Sequence, residues 1–291
     1  MKPRREILIF LGLTLFLSSG FYLYLFLAPS PTWNSSFAWA FMWCPGTAAV
    51  VTRLIATRSL RGLGWGWGGT RRVLLGVVAV PYLLCGAVYS LVWLTGLGGF
   101  DRTLLTAAAA RLGMHGAAGE IAMLALLPIG VALSTVSTLG EELGWRGLLS
   151  DRLLRVTSFT RTSLLVGVIW SVWHYPLIFV LLPRFRPGVS VAYATACFTA
   201  SVVGVSFFYT WLRQTTGSVW PAAILHASCA SAQEVFEALT KNNGYTYYFT
   251  FEYGIGFVLA IWIFLAFFRR GRFNPAMVPP PDAGARATSR G

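Results

Sequence analysis

Two glutamates stand side by side in Gly140-Glu141-Glu142-Leu143-Gly144-Trp145-Arg146-Gly147, directly after a hydrophobic run long enough to enter a membrane. An ionised carboxylate in a membrane segment costs at least about 2.5 kcal/mol by insertion scales, so it needs an ionic partner, a water-filled cavity or a chemical task. On a helix, Glu142 and Arg146 are four residues apart on one face and can pair, whereas Glu141 is turned about 100° away. The doublet therefore divides. Glu142 commits its charge to Arg146, and Glu141 is left to face whatever the bundle brings near. A carboxylate in a low-dielectric pocket is suited to act as general base toward a water molecule. The same residues also fit a doublet that merely ends a helix at the cytosolic membrane edge.

Of the three histidines, two fall in hydrophobic runs: His174 in Trp170-Ser171-Val172-Trp173-His174-Tyr175-Pro176, and His226 six residues after Trp220-Pro221. An intramembrane histidine is a functional candidate, the structural alternative being a ring bonded to a nearby backbone carbonyl. Two such residues and a glutamate pair on separate spans favour a common site, because bundles build sites from facing side chains. His115 lies in an outer connection and is taken as incidental. His226, Ala230, Gln233 and Glu237 fall on one helical face, with Glu234 beside it. Gln233 and Glu237 are expected to bond between helices near the outer edge.

The elements that must position these residues follow from composition. Of 291 residues, 56% are hydrophobic and 11% charged, and the mean hydropathy is +0.63. That is membrane-protein composition. The fold class expected is all-α, a polytopic membrane helix bundle of about eight spans of roughly 20 residues each. Apolar runs lie at 7–27, 37–56, 73–95, 120–139, 164–182, 189–212, 219–239 and 249–268. They form one transmembrane domain over 1–270, followed by a Pro-, Ala- and Gly-rich tail, 271–291, of disordered composition. The first run follows Lys2, Arg4 and Arg5 like a signal peptide but lacks a small-x-small cleavage site, and is taken as a retained span. An Ala-rich stretch at 104–112 is expected along the outer surface, and an amphipathic interfacial helix at 148–155 on the cytosolic side.

The net charge of +13 does not point to nucleic acid, because the basic residues are spread between hydrophobic runs. They act as topology signals. Of 23 Lys and Arg residues only Arg102, Arg111, Arg184, Arg186 and Lys241 fall outside when both termini are cytosolic, as the positive-inside rule requires. The expected location is the cell membrane, multi-pass, with the doublet near the cytosolic side. Cys44, Cys85, Cys197 and Cys229 are widely spaced in apolar runs and are expected as small buried hydrophobes.

Glu141-Glu142-x-x-x-Arg146, the aromatic-x-x-x-His of Trp170 to His174, and Thr216-Gly217-Ser218-Val219-Trp220-Pro221 leading to His226 resemble the motifs of the CPBP family, with the core at about 120–240. That family comprises type II CAAX prenyl endopeptidases and bacterial proteins related to bacteriocin processing and self-immunity. The resemblance implies intramembrane hydrolysis of a peptide bond in a membrane-associated or lipidated, CAAX-like protein. In its glutamate version Glu141 deprotonates a water also held by His174, and His226 stabilises the oxyanion. In its metal version Glu141, His174 and His226 bind one zinc ion. Glu142 and Arg146 organise the site in both. The chain departs from the pattern twice: Trp170 replaces the usual Phe, and Ala230 stands where the family usually carries Asn. A non-catalytic immunity or scaffold protein of the same fold is the alternative, and a proton-coupled transporter a third reading.

Overall fold

The computed structural model describes residues 1–29, 31 and 34–272; the tail expected to be disordered lies outside them from residue 273. The long helices are α1 (Pro3–Leu27), α2 (Ser35–Thr57), α3 (Arg71–Leu94), α6 (Leu127–Glu142), α8 (Phe159–Phe185), α9 (Val191–Thr216), α10 (Trp220–Ala238) and α11 (Ile255–Arg272). Their starts follow local chemistry. Asn34, Thr70, Ser158 and Ser190 each accept a hydrogen bond from the backbone N–H three residues on, the standard way of satisfying an orphan donor. Gly217 ends α9 at φ +66°, a left-handed cap that glycine adopts without penalty.

The protein is an all-α polytopic membrane bundle. Among the described residues, six helices are long and apolar enough to cross a bilayer: α1, α2, α3, the continuous run Gly116–Leu154, α8 and α9. α11 has a shorter apolar stretch, and α10 does not qualify. Exposed Leu8, Phe16, Leu83, Leu91 and Leu133 make the outer surface suited to lipid. Between α3 and α6 lie two short helices, α4 (Thr103–Arg111) and α5 (Gly116–Ala125), so the Ala-rich stretch is helical. A two-residue antiparallel ladder, Gly99–Phe100 with Thr240–Lys241, ties this outer connection to the end of α10.

Two expectations are corrected. Residues 148–155 are not a separate interfacial helix: α6 runs without a break into a π-helix, Leu143–Ser150, buried at every position, and then into α7 (Asp151–Leu154). Leu148 and Leu149 face the core instead of a membrane surface. The last span does not begin at residue 249, because Phe249–Gly254 is irregular and helix starts at Ile255.

The α6 and π segment packs against α2 backbone to backbone. A Cβ on Gly140 would lie 2.7 Å from the Met42 carbonyl oxygen, and one on Gly144 2.5 Å from Pro45 Cβ. Gly140-xxx-Gly144 is thus a small-residue seam of the kind that lets membrane helices approach closely. α6 is tied to α10 by the Thr138 hydroxyl, which donates to the Ala223 carbonyl at 2.9 Å. α8 is tied to α1 by Trp173 Nε1 donating to Ser18 at 2.8 Å and by Tyr22 donating to the Trp173 carbonyl at 2.7 Å.

Candidate active site

The π-helix carries Arg146 back onto Glu142. Arg146 Nη1 lies 3.1 Å from Glu142 Oε1, and both side chains are 0% exposed. The same oxygen lies 3.0 Å from His226 Nδ1 on α10. The guanidinium is sandwiched between two rings, its carbon 4.3 Å from the centre of Trp170 and 3.9 Å from that of Tyr209. Its Nε and Nη2 have no hydrogen-bond partner among the described residues, so the π faces supply what oxygen acceptors do not. The Arg146 carbonyl accepts from Arg213 Nε at 3.0 Å. That bond fixes the π turn to α9.

Glu141 is 2% exposed and is not left unpartnered. Its Oε2 accepts from Trp170 Nε1 at 2.7 Å and Trp145 Nε1 at 3.3 Å. Both donors fall on one oxygen. Oε1 has no donor placed on it by the described residues.

His174 is half-buried, with Nδ1 3.1 Å from the Trp170 carbonyl one turn back. A carbonyl only accepts, so Nδ1 carries the hydrogen and Nε2 the lone pair. His226 follows the same logic with a carboxylate as acceptor. Both tautomers are assigned from their partners. Trp170 sits between the two rings, 6.2 Å from His174 and 5.5 Å from His226 between centroids.

Both histidines line a cavity of about 130 Å³ walled by α3, α8, α9, α10 and α11. Its polar lining is Ser201, Tyr209, Gln233, Glu252 and the two histidines; the rest is largely apolar. Glu141 and Glu142 do not line it and stand behind Trp170 and His226. Gln233 lines the cavity instead of bonding between helices, which corrects its expected role. Glu237 does bond between helices: Oε1 accepts from Arg186 at 3.0 Å and Oε2 from the Tyr89 hydroxyl at 3.0 Å. Ala230 and Glu234 are exposed and do not line the cavity. His115 is exposed at the start of α5.

A metal fits this arrangement poorly. Among the described residues no group of three or more His, Cys, Asp or Glu side chains is placed to hold an ion. Of the three ligands the metal version names, Glu141 already has one oxygen bonded to two indoles, and His174 and His226 open onto the cavity from two helices.

Three contributors escape the motif pattern: the Trp145 indole, the Tyr209 ring and Glu252. Trp145 had a signal, being four residues after Glu141. Glu252 had a weaker one, as an acidic residue inside an otherwise apolar run. Tyr209 had none.

Fold and site together define a class, the multi-pass membrane protein that keeps acid–base side chains inside its bundle. Within that class, residues 121–232, which contain all three motifs, match the family model described as type II CAAX prenyl endopeptidase Rce1-like. A 40-residue stretch is 55% identical to a protein of Methanococcus maripaludis named CAAX prenyl protease 2, covering 14% of this chain and 15% of that relative. The segment carrying the motifs is therefore similar to the type II CAAX prenyl endopeptidase family.

Proposed function

We propose that the protein is an intramembrane endopeptidase that hydrolyses a peptide bond in a lipidated, CAAX-like protein or peptide of the cell membrane, with its active site reached from the cytosolic side. Glu141 takes the proton of a water through Oε1 while the two indole N–H groups hold Oε2. His174 presents Nε2 to the same water. His226, oriented by Glu142 through Nδ1–H and carrying a second proton on Nε2 as the imidazolium, donates Nε2–H to the carbonyl oxygen that gains charge as the tetrahedral intermediate forms. Arg146 neutralises Glu142, so that Glu142 orients His226 without competing for the water. No bound cofactor takes part in these steps. The observation that carries the reading is that two histidines on different helices open onto one cavity beside a buried carboxylate doublet, one member of which is already neutralised.

A second reading has its own support. Ala230 removes the side chain that the family usually places there, and Glu141 is covered in this structure, as a non-catalytic immunity or scaffold protein would allow. The test is release of the C-terminal tripeptide from a farnesylated CAAX peptide by purified protein in detergent, followed by mass spectrometry. Wild type should release it, and Glu141→Ala should lower the rate at least about 10³-fold, the scale of a lost general base. No release by wild type, with Glu141→Ala still functional in cells, would favour the binding protein.

A further inference from the structure

The loop that leads into α11 carries a carboxyl group unused so far. Glu252 lines the same cavity as His174 and His226. It lies beyond the matched segment 121–232, on an element that the three motifs do not include. Glu141 is behind Trp170, whereas Glu252 is in the cavity wall itself.

Its place is built and held. Phe251, the preceding residue, has φ +61°, a left-handed conformation that a bulky side chain keeps only where its surroundings enforce it. The enforcement is visible. The Phe251 and Tyr247 rings clasp the Arg186 guanidinium, each 4.5 Å from its carbon, and Arg186 is anchored on Glu237 at 3.0 Å. The Ile255 N–H donates to the Tyr193 hydroxyl at 3.1 Å, closing the loop against α9. Irregular backbone inside a membrane bundle is tolerated where it lines a cavity.

We propose that Glu252 is a second catalytic carboxyl group, the acid that protonates the departing amine. The assignment rests on the hydrolytic reading above. Water gives one proton to Glu141 as its oxygen bonds to the carbonyl carbon. The C–N bond then breaks as the Glu252 carboxyl delivers its proton to nitrogen, leaving Glu252 ionised. The proton on Glu141 returns to Glu252 through solvent, and the products are a carboxylic acid and an amine.

The test compares a farnesylated CAAX peptide with its analogue carrying a thioester at the scissile bond. A thiolate of pKa about 8.5 departs without protonation. Glu252→Gln should lose about 10²-fold or more in kcat on the amide and change about threefold or less on the thioester, as removal of a general acid alone requires. Glu252→Asp should recover part of the amide rate. Equal losses on both substrates, or no loss on either, would overturn the proposal. If the Gln variant shows no cooperative melting transition, the Asp variant decides: its amide-to-thioester rate ratio should fall below that of wild type, and an unchanged ratio overturns the assignment. Glu141→Gln should lose both reactions, and if it retains both, the hydrolytic reading itself fails independently of Glu252.

Discussion

Trp170 meets four polar members of the site: its N–H bonds to Glu141, its face carries Arg146, and its ring lies between the two histidines. A hydrogen bond to a charged group contributes about 1.5–3 kcal/mol. Trp170→Phe removes the donor and trims the ring over Arg146, so the single-turnover rate should fall about ten- to hundredfold and the melting temperature should drop by the equivalent of about 1.5–3 kcal/mol. The buried pair weighs more on stability. Glu142→Ala leaves Arg146 uncompensated and should cost about 3–5 kcal/mol in unfolding measured in detergent. Glu141→Ala should cost less, since its partners are neutral indoles. The Glu141/Glu142 division is legible in sequence because helical spacing alone separates the two side chains. Spacing also offers Trp145, one turn on, as a donor to Glu141; what it cannot say is that a second indole would join it, since Trp170 arrives from a helix 29 positions away.

The doublet is positioned by a close crossing of two elements, and glycine permits it. Gly46 on α2 would bring a Cβ within 2.6 Å of the Gly140 carbonyl oxygen. Neither partner can retreat without moving backbone. Gly140→Ala and Gly144→Ala should therefore destabilise the protein by about 1–3 kcal/mol. Gly12→Ala on α1, where a Cβ would meet nothing within 4 Å, should be neutral or slightly stabilising in the same melts. The Gly-x-x-x-Gly spacing was readable. The π-helix was not, because what fixes it is long-range: the Arg213 bond to the Arg146 carbonyl and the fit over Trp145 and Leu148, both fully buried. The boundary of the last helix was misplaced for a related reason. Phe249, Phe251 and Tyr253 continue the hydrophobic run, and hydropathy does not report that their rings serve a loop.

Across the whole molecule, the helix that carries His226 is the one that composition describes least well as a span. α10 faces the cavity and the Glu142 pair, so it needs polar side chains that a lipid-facing helix excludes. The N-terminal helix is joined to the bundle by charge instead: Glu6, buried, accepts from Arg53 at 3.1 Å and from Arg152 at 2.8 Å. Glu6→Ala removes the carboxylate from buried Arg53 and leaves Arg152 with Asp151 alone. It should lower the melting temperature by the equivalent of about 3 kcal/mol or more, a larger effect than Asp101→Ala at the exposed outer turn. The bundle, the run of apolar segments and the motif order were legible from periodicity and composition. The cavity was not, since it forms where five helices fail to fill space.

The most direct measurement of the account is the rate at which purified wild-type protein cleaves a farnesylated CAAX peptide after exhaustive treatment with a strong zinc chelator, before and after zinc is restored. Water activation by Glu141, with His174 and His226 and no metal, predicts one rate under all three conditions, abolished by Glu141→Gln. A rate that falls to background on chelation and returns with zinc would contradict it.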